Sequence, residues 1–256
     1  VSSHNRVVDY AARDYFPPEQ MRFSGWWFLL AQAPILVFIV LSRMGPIHVP
    51  VALAQPVGLA ITIVGYGITF SIVLLASRRR GLGQLKSDYG WDVRPIDLIW
   101  GLAGVAVTSV LTVLIVGLLR PLGTATSNVH LGDNHVWNVI NLFFVPVLIA
   151  APIEELAFRG LLMRWIRNAI LRGRTPPTDA RRAAAIHLSV VVSAVCFALF
   201  HLYEADDFVS ALNLGLQTFS LGIIGGYLTT YTGRLGPSVL THGLHNALVG
   251  TLALTN

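Results

Sequence analysis

The chain has 256 residues, 54% of them hydrophobic and 12% charged, and its mean hydropathy is +0.64. That balance excludes a water-soluble domain with a polar surface and makes lipid the main solvent. The formal net charge of +5 gathers beside apolar runs, where membrane topology accounts for it, so no nucleic-acid partner is expected.

Backbone groups cannot go unpaired in hydrocarbon, and the apolar runs lack the period-two alternation of a membrane barrel. The expected fold is therefore all-α, a polytopic integral membrane protein of about seven transmembrane helices. A polar tail over 1–24 precedes the first apolar run and has no cleavable signal pattern, so the first helix is expected to remain in the mature protein. Windows long enough to cross a bilayer, roughly 20 residues, fall near 25–42, 51–77, 97–119, 136–163, 183–203, 208–230 and 237–255. Trp26, Trp27, Trp91, Trp100, Trp137 and Trp165 lie at or near the ends of these windows, as interfacial tryptophans do.

Basic residues alternate between loops. Arg6, Arg13 and Arg22 precede the first window; Arg78, Arg79, Arg80, Lys86 and Arg94 follow the second; Arg164, Arg167, Arg172, Arg174, Arg181 and Arg182 follow the fourth; and Arg234 follows the sixth. The intervening loops hold only Arg43 and Arg120. The bias predicts a cytosolic N-terminus and an external C-terminus. The Arg-rich composition suits a bacterial cytoplasmic membrane. Gly215, Gly222 and Gly226 share a face of the sixth window, a packing pattern for closely approaching helices. The stretch Gly173 to Asp179 is expected to be a loop, and Cys196 a small core residue. The sequence carries no sign of oligomeric state.

Ionisable residues at membrane depth are costly and call for explanation one by one. They concentrate in the last four windows as Glu154, Glu155, Arg159, His187, His201, His242 and His245. This divides the chain into a scaffold of helices over 25–135 and a chemistry-bearing part over 136–256. On a helix Glu155 and Arg159 are four apart with the acid first, the better order for an ion pair. Glu154 is rotated about 100° from Glu155 and about 140° from Arg159. It is left to face something else and is a candidate general base. Phe197 and His201 are four apart in the fifth window. His242 and Asn246 share a face of the last, with His245 a substitute for either. Together they supply a base, an orienting or metal-binding imidazole and two N–H donors for an oxyanion, which fits hydrolysis of an acyl bond by activated water. Ser193 and Ser238 sit in no nucleophile elbow, so a serine mechanism fits less well.

At these residues the chain resembles the CPBP family of intramembrane proteases, which includes the type II CAAX prenyl endopeptidases and bacteriocin-processing relatives. The family's Glu-Glu-x-x-x-Arg is similar to Glu154, Glu155 and Arg159, its Phe-x-x-x-His to Phe197 and His201, and its His-x-x-x-Asn to His242 and Asn246. The resemblance implies an intramembrane endopeptidase acting on a hydrophobic or lipidated peptide or protein, near its C-terminus or in its transmembrane part. Glu154 and His201 would activate water, His242 and Asn246 would stabilise the oxyanion, and Glu155, Arg159 and Phe197 would support them. A divalent metal, zinc, on Glu154, His201 and His242 is an alternative within the resemblance; the absence of a His-Glu-x-x-His stretch favours metal-free chemistry. Two other functions fit the same residues: a silent family member serving as a scaffold or regulator, and a proton-coupled transporter. By the drawn windows, Glu154 lies about three turns from the cytosolic end of its span and His201 near the external end of the next. Their meeting is expected to require a fifth helix that begins well inside the cytosol, with His187 at the interface and without chemistry.

Overall fold

The computed structural model of the chain describes residues 23–43, 49–123, 131–172 and 177–255. The expectations for Arg6, Arg13, Arg22 and Arg174, and for much of the tail and of the loop after Gly173, lie outside the described residues. Within them the fold is all-α, without strand or barrel.

Helices occupy all seven expected windows. They are α1 (Gly25–Arg43) and α2 (Val51–Arg80), a short α3 (Leu85–Tyr89), then α4 (Asp97–Leu119). A continuous α5 (His135–Leu171) follows, and α6 (Asp179–His201), α7 (Phe208–Thr232) and α8 (Gly236–Thr255) complete the bundle. Five of these, α2, α4, α5, α6 and α7, are long and apolar enough to cross a membrane; α1 offers only the shorter apolar stretch Gly25–Leu41. Among the described residues the chain is thus a multi-spanning helical bundle with five such helices, fewer than the seven expected from hydropathy alone. Its outer surface suits lipid: Val113 is 70% exposed and Leu118 73%, positions that water would penalise and hydrocarbon does not.

The largest departure from the expected boundaries is α5. Its 37 residues extend about 55 Å at 1.5 Å per residue, well beyond a hydrocarbon core of roughly 30 Å. Arg164 and Arg167, placed in a loop by their charge, lie in the last turns of α5 and are buried. Arg181, also expected in that loop, lies in the first turn of α6 and donates to the carbonyls of Ile170 and Arg172. It caps the end of α5, where helix carbonyls lack partners. Two π-helical stretches, Ile140–Ala150 and Leu156–Leu162, flank the short α-helical segment Ala151–Glu155. Pro146 and Pro152 lie in this region, and a proline without an N–H disturbs the regular ladder.

Packing follows the small residues. A Cβ on Gly222 would come within 2.8 Å of Ala194 Cβ, and one on Gly226 within 2.8 Å of Val190, so the glycine face of α7 lies against α6 as expected. On the other side, α4 meets α8 where a Cβ on Gly101 would lie 2.8 Å from Leu240. The segment between α2 and α4 is pinned by buried acids. Asp88 accepts from Ser77 Oγ and from the backbone N–H groups of Leu82 and Gln84. Asp97 accepts from the Arg94 N–H and pairs with Arg234. Gly90, at φ +71°, ends α3 in the left-handed region that a Cβ disfavours.

Candidate active site

The core beneath the site is aromatic. Phe158 of α5 meets Phe28 of α1 and Phe197 of α6, each with ring centroids 5.1 Å apart. Phe197 is fully buried and touches three charged or titratable groups of the motifs. The His201 ring lies 4.4 Å from it, the His242 ring 5.5 Å, and the Arg159 guanidinium carbon 4.4 Å. A ring with a negative face accommodates a cation where no water reaches. Phe197 thus packs against all three at once.

Glu155 and Arg159 form the ion pair that their spacing implies, 2.9 Å apart with both side chains 1% exposed. None of the guanidinium nitrogens makes a well-aligned hydrogen bond among the described residues, so the attraction is one of charge and of the Phe197 face. His242 donates or accepts at Nδ1 with Glu155 Oε1 at 3.0 Å. Opposite a carboxylate, Nδ1 must carry the proton. Glu155 thus fixes the tautomer and the tilt of His242, leaving Nε2 turned the other way.

Glu154 faces what Glu155 does not. Its Oε2 lies 3.9 Å from His201 Nε2 and 3.8 Å from His242 Nε2. These separations exceed a direct hydrogen bond and suit groups that share a small molecule between them. His201 Nδ1 lies 2.7 Å from the Phe197 carbonyl oxygen, so there too Nδ1 holds the proton and Nε2 points at Glu154. Glu154 Oε1 accepts from the Tyr66 hydroxyl at 2.5 Å. A small cavity of about 40 Å³ opens beside Glu154 and His201, walled by Gln32, Tyr66, Phe158, Phe200, Tyr203 and Glu204 among others.

The structure brings Glu154, His201 and His242 together from α5, α6 and α8. They meet because both arms of the α5–α6 hairpin are longer than the sequence windows, with α5 running on to Leu171 and α6 beginning at Asp179. Asn246, one turn beyond His242, donates from Nδ2 to the Pro146 carbonyl at 3.1 Å. His245 keeps its Nδ1 buried with no partner among the described residues. His187 is exposed and bonds the Tyr227 hydroxyl at 2.8 Å, away from the site. Ser193 donates to the carbonyl of Phe158, away from the motif carboxylates, while Ser238 donates to the carbonyl of Leu235 and lies beside Glu155 rather than Glu154. Among the described residues no group of three or more His, Cys, Asp or Glu side chains is arranged to hold a metal ion, so the zinc alternative gains no support. Tyr66 was missed. A tyrosine in an apolar span reads as core or interface, and the usable signal was its hydroxyl, which needs a partner at membrane depth.

The family model described as type II CAAX prenyl endopeptidase Rce1-like matches residues 136–248, the stretch that carries all three motifs. The resemblance read from those motifs is borne out over that stretch. No curated protein and no solved structure matches the chain.

Proposed function

We propose that the protein is an intramembrane endopeptidase that hydrolyses a peptide bond of a hydrophobic or lipidated substrate by water activated at Glu154. The observation that carries this reading is the convergence of His201 Nε2 and His242 Nε2 on Glu154 Oε2, at 3.9 and 3.8 Å, beside a cavity in a polytopic membrane protein. Oε2 would take a proton from a water held between it and His201 as that water attacks the scissile carbonyl. The charge that develops on the carbonyl oxygen needs N–H donors in place beforehand. His242, protonated at both nitrogens, would donate from Nε2 while Nδ1 stays on Glu155. The second N–H of the Asn246 amide would supply another donor, the first being held by Pro146. Glu154 would return its proton to the leaving amine. The matched family's name supports a prenylated or otherwise lipidated C-terminal peptide as the first substrate to try. The positive-inside bias supports an N-terminus in the cytosol and seven spans, with α1 and α8 as the two beyond the five long apolar helices, and the Arg-rich composition supports a bacterial membrane.

The test is cleavage of pooled fluorogenic lipidated and unlipidated peptides by the purified chain and by Glu154→Gln, His201→Ala and His242→Ala, each with and without a chelator. Cleavage by the wild type alone, insensitive to chelator, is the expected result. Equal cleavage by the variants overturns it, and loss on chelation moves the chemistry to a metal.

A further inference from the structure

The contact between Tyr66 and Glu154 joins two parts of the chain that the motifs keep apart. Tyr66 belongs to α2, outside the segment 136–248 that the family model matches, and its hydroxyl donates to Glu154 Oε1 at 2.5 Å across 88 positions of sequence. Resting on the protease reading above, we propose that Tyr66 is a positioning residue for that reaction: it holds the plane and rotamer of Glu154 so that Oε2 faces the two imidazoles and the cavity.

The chemistry of a carboxylate requires such a hold. Its terminal torsion is broad, and a base whose plane swings loses the alignment that a proton transfer needs. A hydroxyl bonded to one oxygen through a charge-assisted bond fixes the plane and leaves the other oxygen for water. The bond does not depend on α5 alone, because α2 is itself anchored. Thr69, three residues beyond Tyr66, donates to the Ala31 carbonyl of α1 at 2.8 Å, and Tyr89 donates to the Val73 carbonyl at 2.9 Å. The titratable groups about Glu154 are then all accounted for by element: Tyr66 from α2, His201 from α6, His242 from α8, the Glu155–Arg159 pair on its own helix, and Tyr203 and Glu204 on the cavity wall. Among these, Tyr66 is the group bonded to Oε1, and it comes from the helices that the sequence assigns to scaffolding.

Tyr66→Phe removes the hydroxyl and keeps the ring, so it is the variant to compare with wild type on the best peptide from the pooled library. The expected result is a kcat lower by about 10- to 100-fold with KM within about twofold. A kcat per folded molecule that is unchanged overturns the proposal, and so does a loss of activity that only matches a loss of folded protein. Failure of the wild type to cleave any peptide counts against the protease reading, and the contact is then judged without activity. 3-Fluorotyrosine placed at position 66 should give a ¹⁹F resonance at fixed neutral pH whose chemical shift changes between the wild type and Glu154→Gln, because the hydroxyl loses its carboxylate acceptor. A resonance indifferent to Glu154 overturns the proposal.

Discussion

The guanidinium carbon of Arg159 lies 4.4 Å from the centroid of the Phe197 ring. The two residues come from different motifs and different helices, and their contact ties the buried Glu155–Arg159 pair to the helix that carries His201. An arginine at 0% exposure is tolerable only while its carboxylate and its ring are both present.

Arg159→Met is expected to destabilise the protein by roughly 3–5 kcal/mol, because Glu155 is left as a buried charge without its cation. Thermal unfolding in detergent checks it. Phe197→Leu removes only the ring face and should cost less, about 1–3 kcal/mol for a buried change of shape and size. If the two variants melt alike, the ion pair is not what holds Arg159 in place.

The α6–α7 seam makes a sharper structural test. At Gly222 a methyl group would lie 2.8 Å from Ala194 Cβ and 2.9 Å from its Cα, so backbone would have to move. Gly222→Ala should therefore cost about 1–3 kcal/mol. Gly67→Ala, where a Cβ meets nothing within 4 Å, should be neutral or stabilising by up to about 1 kcal/mol through helix propensity. Equal melting temperatures for the two variants would show that α6 and α7 do not meet at this glycine face.

How far the sequence alone could reach is visible in these same residues. Spacing by four shows the Glu155–Arg159 pair and the glycine face, because a helix turns those intervals into contacts. Spacing also shows that Glu154 must look elsewhere. It does not show where, since Tyr66, His201 and His242 arrive from three other helices, and no periodicity records a tertiary neighbour. The end of α5 was misread for a related reason. Arg164 and Arg167 read as loop charges because water is the usual solvent for arginine, yet both lie buried within the helix. The drawn span then stopped short, and His201 seemed to lie at the wrong depth.

The loop before α4 offers a prediction away from the site. Asp97 is fully buried, accepts from the Arg94 N–H at 2.8 Å, and pairs with Arg234 from the turn between α7 and α8. Arg234→Ala removes the cation from a buried acid and should destabilise by about 3 kcal/mol, the lower end for such pairs because Arg234 keeps some exposure. Asp97→Asn/Arg234→Ala should recover part of that loss, since no buried charge remains. No recovery in the double variant would mean that the pair acts through packing rather than charge.

Glu154 and Glu155 are neighbours with opposite assignments, and one comparison separates them. Glu154 is partly open to the cavity and Arg159 makes its ion pair with Glu155 instead, so Glu154→Gln should leave the melting temperature nearly unchanged. It should reduce cleavage by about 10²- to 10⁴-fold, the contribution of a general base. Glu155→Gln strands Arg159 in the core and should lower stability by roughly 3–5 kcal/mol. It should also lower activity per folded molecule, because His242 Nδ1 loses the carboxylate that orients it. Adding Arg159→Met to Glu155→Gln should restore much of the stability without restoring the activity, since the stranded cation is gone while His242 remains unheld. Recovery of both together would assign Glu155 to folding alone; a stability loss in Glu154→Gln as large as that in Glu155→Gln would reverse the two assignments.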